Sequence, residues 1–195
     1  GILIRPVCPP HEFRALMKKR LRSYLVNRDK VANLATDQFY ESVFGWEHPY
    51  GKQVLQDDFT RLNTGILTDF HSEHYSPDSL AVIVSGKIHA DTVSIMNFLF
   101  GSIRSAGRSP QEIIPVIAPS LQKKIHIEKK GALQTAVRIG SPAINKLHPD
   151  YPGLKVVDII LGGYFNSRLM KNIREEKGLT YGIHSSITSL ILSGF

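Results

Sequence analysis

Residues 80–86, LAVIVSG, are apolar almost throughout and stop on a glycine. So short and continuous an apolar run reads as a strand buried on both faces, which demands structure above and below it. A second signal lies downstream. KKIHIEK (123–129) alternates in polarity, ALQTAVRIG (132–140) reads as another strand, and the intervening KKG reads as a hairpin turn. LTYGIHSSITSLIL, near the end, reads as one more strand. Helical stripes fill much of the rest. The expected fold is α+β: two layers, with helices packed on a largely antiparallel sheet.

The stripes are regular. After Pro9 and Pro10, apolar residues recur at helical spacing at Phe13, Leu16, Met17, Leu21, Tyr24 and Leu25. Asn27 to Lys30 breaks the pattern. A second helix turns Val31, Leu34, Ala35, Phe39 and Val43 inward, with Phe44 a further candidate, stops near Gly45 and leads into the turn HPYG (48–51). A third starts at Asp57 or Asp58 and carries Phe59, Leu62, Ile66, Leu67 and Phe70 on one face, up to a break at SPDS (76–79). A fourth spans His89 to Phe100. Residues 101–120, with Gly101, Gly107, Pro110, Pro115 and Pro119, read as a hinge. The hinge separates a helix-rich segment, 1–100, from a segment of hairpin, helices and strand, 121–195, the two together making one domain. In the second segment a helix from about Tyr151 directs Leu154, Val157, Ile160 and Leu161 inward and ends at Gly162 and Gly163.

Several function classes drop out. A single cysteine, Cys8, rules out an internal disulfide and any multi-cysteine zinc site. No apolar run approaches the roughly 20 residues of a membrane span, so no membrane partner is expected. The net charge is +7, and the densest basic run is KKRLR (18–22). No nucleic-acid motif accompanies that charge, and a solvated helix face accounts for it, so no nucleic-acid partner is expected. The chain starts without Met and stops inside an apolar run, LILSGF, which reads as a piece of a longer protein.

NSRLMKNIREEKGLTYGIHS (166–185) carries the candidate chemistry. Asn166 or Ser167 caps a charged helix, and Leu169, Met170 and Ile173 form its buried edge. Gly178 can take the positive φ that ends a helix and reverses the chain. A helix folding back on the strand it feeds brings Arg174 beside Tyr181. A guanidinium and a phenol hydroxyl aimed at one cleft can hold a peptide carbonyl or a carboxylate. The same residues also have a plain structural reading: Arg174 as a cation at a helix C-terminus, and Tyr181 as a core aromatic with a wet tip.

LGGYFNSRLMKNIREEKGLTYGIHS resembles the C-terminal part of a pitrilysin-type (M16 family) zinc peptidase domain, whose pattern is a small-residue turn, then SRL, then RE-x-x-GL-x-Y. FGWEHPYGKQVLQDDF and FHSEHYSPDSLAVIVSGKI are similar to two further segments of that family, in the same order, so the resemblance covers roughly residues 11–190. It implies that Arg174 and Tyr181 are a substrate-binding pair on the half that lacks the metal, and that the family domain is present here without its first strands.

The chain departs from the family at the metal. The family's inverted motif, His-x-x-Glu-His, places two zinc ligands and a general base on one helix, and it is missing here. The nearest string, His71-Ser72-Glu73-His74, has its histidines three apart and reads as a helix end. The family's third ligand, a glutamate, falls near Tyr24, and no acid occurs between Phe13 and Asn27. The expectation is therefore a domain with no catalytic residue, no metal ligand and no cofactor of its own. It would form a wall of a peptide-binding chamber in a zinc metalloendopeptidase and orient peptide substrate toward zinc in an HxxEH-containing catalytic domain, in the same chain or a partner subunit. The alternative is a structural or assembly module of the same fold.

Overall fold

The structure is a computed structural model and describes residue 3 and residues 6–75, 80–103 and 115–195. The expected break at 76–79 and most of the expected hinge, 104–114, lie outside the described residues. Two compact units emerge, one comprising 1–29 with 54–113, the other 30–53 with 114–195.

In the first unit, α1 (Pro10–Arg28) starts on the double proline, where a missing N–H costs nothing because the first turn has no intrahelical acceptor for it. Its Tyr24 packs against Phe59 of α3 (Gln56–Arg61), the ring centroids 5.2 Å apart. The continuous helix expected from Asp57 to Phe70 is two helices. Leu62 and Asn63 are extended, and the Asn63 side chain accepts from the Ile66 N–H at 3.0 Å to start α4 (Thr64–His74). A capping side chain inside an apolar stripe overrides its periodicity, because it satisfies an orphan donor only if the helix begins there. α5 (Thr92–Phe100) completes the unit.

The second unit is organised on α2 (Val31–Phe44), which ends at Gly45 with φ +89°. Phe44 is fully buried, stacked on His48 at 5.4 Å and edge-on to Tyr50 and Phe195. His48 belongs to this core: its Nδ1 accepts from the Tyr50 N–H at 3.0 Å. The chain's last residues are fastened here, with Ala143 and Gly194 exchanging backbone hydrogen bonds of 2.8 and 3.0 Å. α6 (Tyr151–Asp158) runs directly into a π-helical segment, Ile159–Gly163, and a second π segment follows at Met170–Glu176.

The expectation of an α+β fold with a largely antiparallel sheet is overturned. Among the described residues there are helices and two isolated antiparallel bridges, Ala143 with Gly194 and Ser189 with Gly194, and no strand or sheet. Residues 80–84 lie in the open rather than buried on both faces; Ile83 is 92% exposed. The hairpin shows the physical reason most clearly. Its turn forms, with the Ala132 N–H on the Lys129 carbonyl at 3.2 Å and Gly131 at φ +75°. Among the described residues the flanks 123–129 and 132–140 form no β-ladder with each other. A turn is a local structure that four residues can make alone, whereas a ladder needs backbone partners that strand-like composition cannot supply. The inward set of the sixth helix is corrected as well: Val157, Ile160 and Leu161 are 58%, 52% and 43% exposed, and the buried residue of that helix is Asp158.

Candidate functional site

The stretch carrying Arg174 and Tyr181 is held to α6 by a short set of contacts around Asp158. This side chain is 7% exposed, and its Oδ2 accepts from Lys155 Nζ at 3.0 Å. Ser185 reaches it from the far side of the stretch, its Oγ donating to the Asp158 carbonyl at 3.0 Å. Burial alone would push the Asp158 carboxyl up. Hydrogen bonds from Ser185, Lys155 and the Ile187 backbone, with the charge of Lys155, outweigh that and hold it below the ordinary carboxylate value. One turn later the Gly162 carbonyl accepts from the Ser185 N–H at 3.3 Å. A Cβ at Gly162 would run into the nitrogen and hydroxyl of Ser185, so only glycine lets the two backbones approach this closely.

Between these anchors the chain turns at Tyr164–Ser167, the Ser167 N–H donating to the Tyr164 carbonyl at 3.1 Å. Ser167 precedes the helix as expected, and its carbonyl accepts from the Lys171 N–H at 3.0 Å. Among the described residues its buried hydroxyl has no hydrogen-bond partner, so it does not cap through its side chain. Met170 is buried and Ile173 half-buried, which matches the expected inner edge. The widened π turn carries Arg174 in its last turn. The Gly178 N–H then closes on the Arg174 carbonyl at 3.2 Å, and Gly178 itself sits at φ +62°. Space around Gly178 is open, so the cost of a side chain there is conformational only. Gly178→Ala is expected to lower unfolding free energy by about 1 kcal/mol in urea titration. A loss near zero would mean the turn does not need the left-handed conformation.

Tyr181 stands 97% exposed, and among the described residues its hydroxyl makes no hydrogen bond. Arg174 does not reach it by a hydrogen bond. Its guanidinium lies instead over the ring of Phe165, Cζ 4.9 Å from the centroid. Phe165 is a contact the sequence reading missed, as are Asp158 and Ser185. An acid inside the apolar run VVDIILGG was the available signal for Asp158; nothing in the local pattern marks Phe165.

The residues that correspond to a zinc site do not fit one. Tyr24, where a third ligand would fall, is a packing residue on α1 with Arg28 over its ring at 6.0 Å. His71 stacks on Tyr75 at 4.6 Å and His74 lies against Phe70 at 4.3 Å, both in the last turn of α4. Among the described residues no three His, Cys, Asp or Glu side chains are grouped to hold a metal.

The fold has a counterpart among solved structures. It superimposes on the crystal structure of a peptidase M16 inactive domain from Pseudomonas fluorescens with a TM-score of 0.71, at 21% identity, over 99% of this chain and 47% of that one. The family model described as Peptidase M16 inactive domain matches residues 61–195, and the chain belongs to that family. Among curated proteins it is similar to an uncharacterized zinc protease of Mycobacterium leprae, 30% identical over 89% of this chain, and to one of Mycobacterium bovis, 26% identical over 89%. The chain spans about 40% of the length of these relatives.

Proposed function

We propose that this chain is a non-catalytic domain of an M16-type zinc metallopeptidase. It forms a wall of the peptide-binding chamber, and Arg174 and Tyr181 orient substrate toward zinc held by an HxxEH-containing catalytic domain in the same polypeptide or a partner subunit. Its contribution to the reaction is positioning rather than bond chemistry. The observation that carries this reading is the state of the pair. The Arg174 donors are committed to no carboxylate among the described residues, and the Tyr181 phenol faces solvent nearly whole. A structural arginine is normally spent on helix carbonyls or an acid, and a core tyrosine buries its ring; neither applies here. The relatives named zinc proteases are longer than this chain, which supports a companion domain as the holder of the metal.

The test is a titration of this chain with an extended Ala-Ser-Leu repeat peptide, followed by the ring resonances of Tyr181. A saturable shift at Tyr181, reduced in Arg174→Ala, is the expected result. No shift at any peptide concentration would turn the assignment toward a structural or assembly module of the same fold.

A further inference from the structure

We infer that Phe165 is the positioning residue of the Arg174 guanidinium, a role that rests on the peptide-orienting reading of Arg174. Phe165 is 64% exposed, an unusual place for a phenylalanine in a turn between two helical segments. Its ring lies under the guanidinium at 4.9 Å, well inside the roughly 6 Å range over which a ring face attracts a cation. Such a contact has a particular consequence for a five-donor side chain. The ring face attracts the cation without supplying an oxygen acceptor, so no carboxylate or carbonyl is spent on holding the arginine in place. An acid at this position would fix the arginine equally well and consume the donors that a ligand needs. The ring instead restricts a long, flexible side chain while leaving its hydrogen-bonding edge available for a carbonyl or carboxylate oxygen.

The surrounding backbone fixes the two partners relative to each other. Phe165 sits in the Tyr164–Ser167 turn, immediately after the π segment whose Gly162 is fastened to Ser185. Arg174 lies in the π segment that opens just beyond that turn. The conformational freedom lost on binding is thereby reduced, since a side chain already held in one region has fewer rotamers left to give up.

The experiment compares Phe165→Leu and Phe165→Tyr in this chain, with Arg174→Ala as the reference. Phe165 is exposed, so both variants are expected to fold. Two readouts are taken: the Arg174 side-chain Nε–H resonance, which a ring face moves upfield, and the affinity for the Ala-Ser-Leu repeat peptide, used with a free and with an amidated C-terminus. Phe165→Leu should abolish the upfield shift and weaken peptide about threefold to fivefold, the effect expected of an exposed cation–ring contact. Phe165→Tyr should restore both. A preference for the free carboxylate over the amide identifies the terminal carboxylate as the group bound; equal affinity identifies a backbone carbonyl. An unchanged Nε–H shift in Phe165→Leu overturns the inference. So does a lost shift with unchanged affinity while Arg174→Ala still weakens binding. If Arg174→Ala itself leaves affinity unchanged, the peptide-orienting reading fails and the role of Phe165 falls with it. That outcome is distinguishable because the ring-current shift then persists in the parent chain without any effect on peptide.

Discussion

Lys155→Met should lower the free energy of unfolding by about 2 kcal/mol near neutral pH, and the loss should fade in acid. Breaking a buried pair by removing one partner typically costs about 3–5 kcal/mol, because the remaining charge is left without compensation. Here Asp158 is the buried member at 7% exposure, while the Lys155 side chain is 38% exposed and more easily hydrated. The Ser185 and Ile187 hydrogen bonds also survive the substitution, which places the expectation below that range. Methionine keeps the length of the side chain and removes only the charge. The pH dependence follows from the direction of the Asp158 shift. Its folded-state pKa lies below the ordinary carboxylate value, so the ionised form stabilises the fold. That contribution is fully present above the ordinary value and disappears as pH falls through the lower, folded one. Losing Lys155 removes part of what holds the pKa down, so the variant's deficit should be largest near neutrality and vanish once Asp158 is protonated in both proteins. Urea titrations at several pH values measure it, and a deficit that is constant with pH would show that the loss is packing rather than charge.

The same cluster shows which features of the molecule were legible in the sequence. Helices were, because a stripe repeating every three to four residues is a local property of the chain. α1, α2 and α5 fall close to their expected bounds. Asn63 divides what the stripe alone makes continuous, since a side-chain cap is a single-residue event that periodicity ignores. The sheet failed for the opposite reason. Composition can mark LAVIVSG or ALQTAVRIG as strand-like, but pairing is non-local, and among the described residues the ladders are not formed. In the candidate site, the positive φ of Gly178 was legible because helix termination is governed by few residues. Phe165 under Arg174 was not. A contact nine positions apart across a turn and a π segment follows neither the helical three-or-four spacing nor the strand alternation. Asp158 was visible as an oddity, an acid among aliphatics, yet its partner Ser185 lies beyond the whole stretch it anchors.

Arg174→Ala is expected to lower kcat/KM for peptide cleavage by about a hundredfold in the full-length protein with its companion domain, while leaving bound zinc unchanged. Misplacing a substrate by about 1 Å at a site remote from the chemistry can cost two orders of magnitude, because the reacting bond no longer meets the catalytic groups in register. Within this chain, Arg174 has the attributes such a positioning group needs: a ring that restrains it, and donors not committed to any carboxylate among the described residues. Its tether is rigid as well. The Gly178 closure ends the segment on the Arg174 carbonyl, and the Gly162–Ser185 contact joins the chain before the segment to the chain after it. Among the described residues no group of side chains is placed to hold a metal, so removing Arg174 takes away no zinc ligand there, and elemental analysis should give the same zinc content in both proteins. The pairing of the two measurements decides the assignment. Reduced turnover with zinc retained identifies a substrate-orienting residue. Turnover that is unchanged would sink that role and favour the structural module. Turnover and zinc lost together would place Arg174 in the assembly of the chamber, because the metal could then depend on it only through the packing of one domain against another.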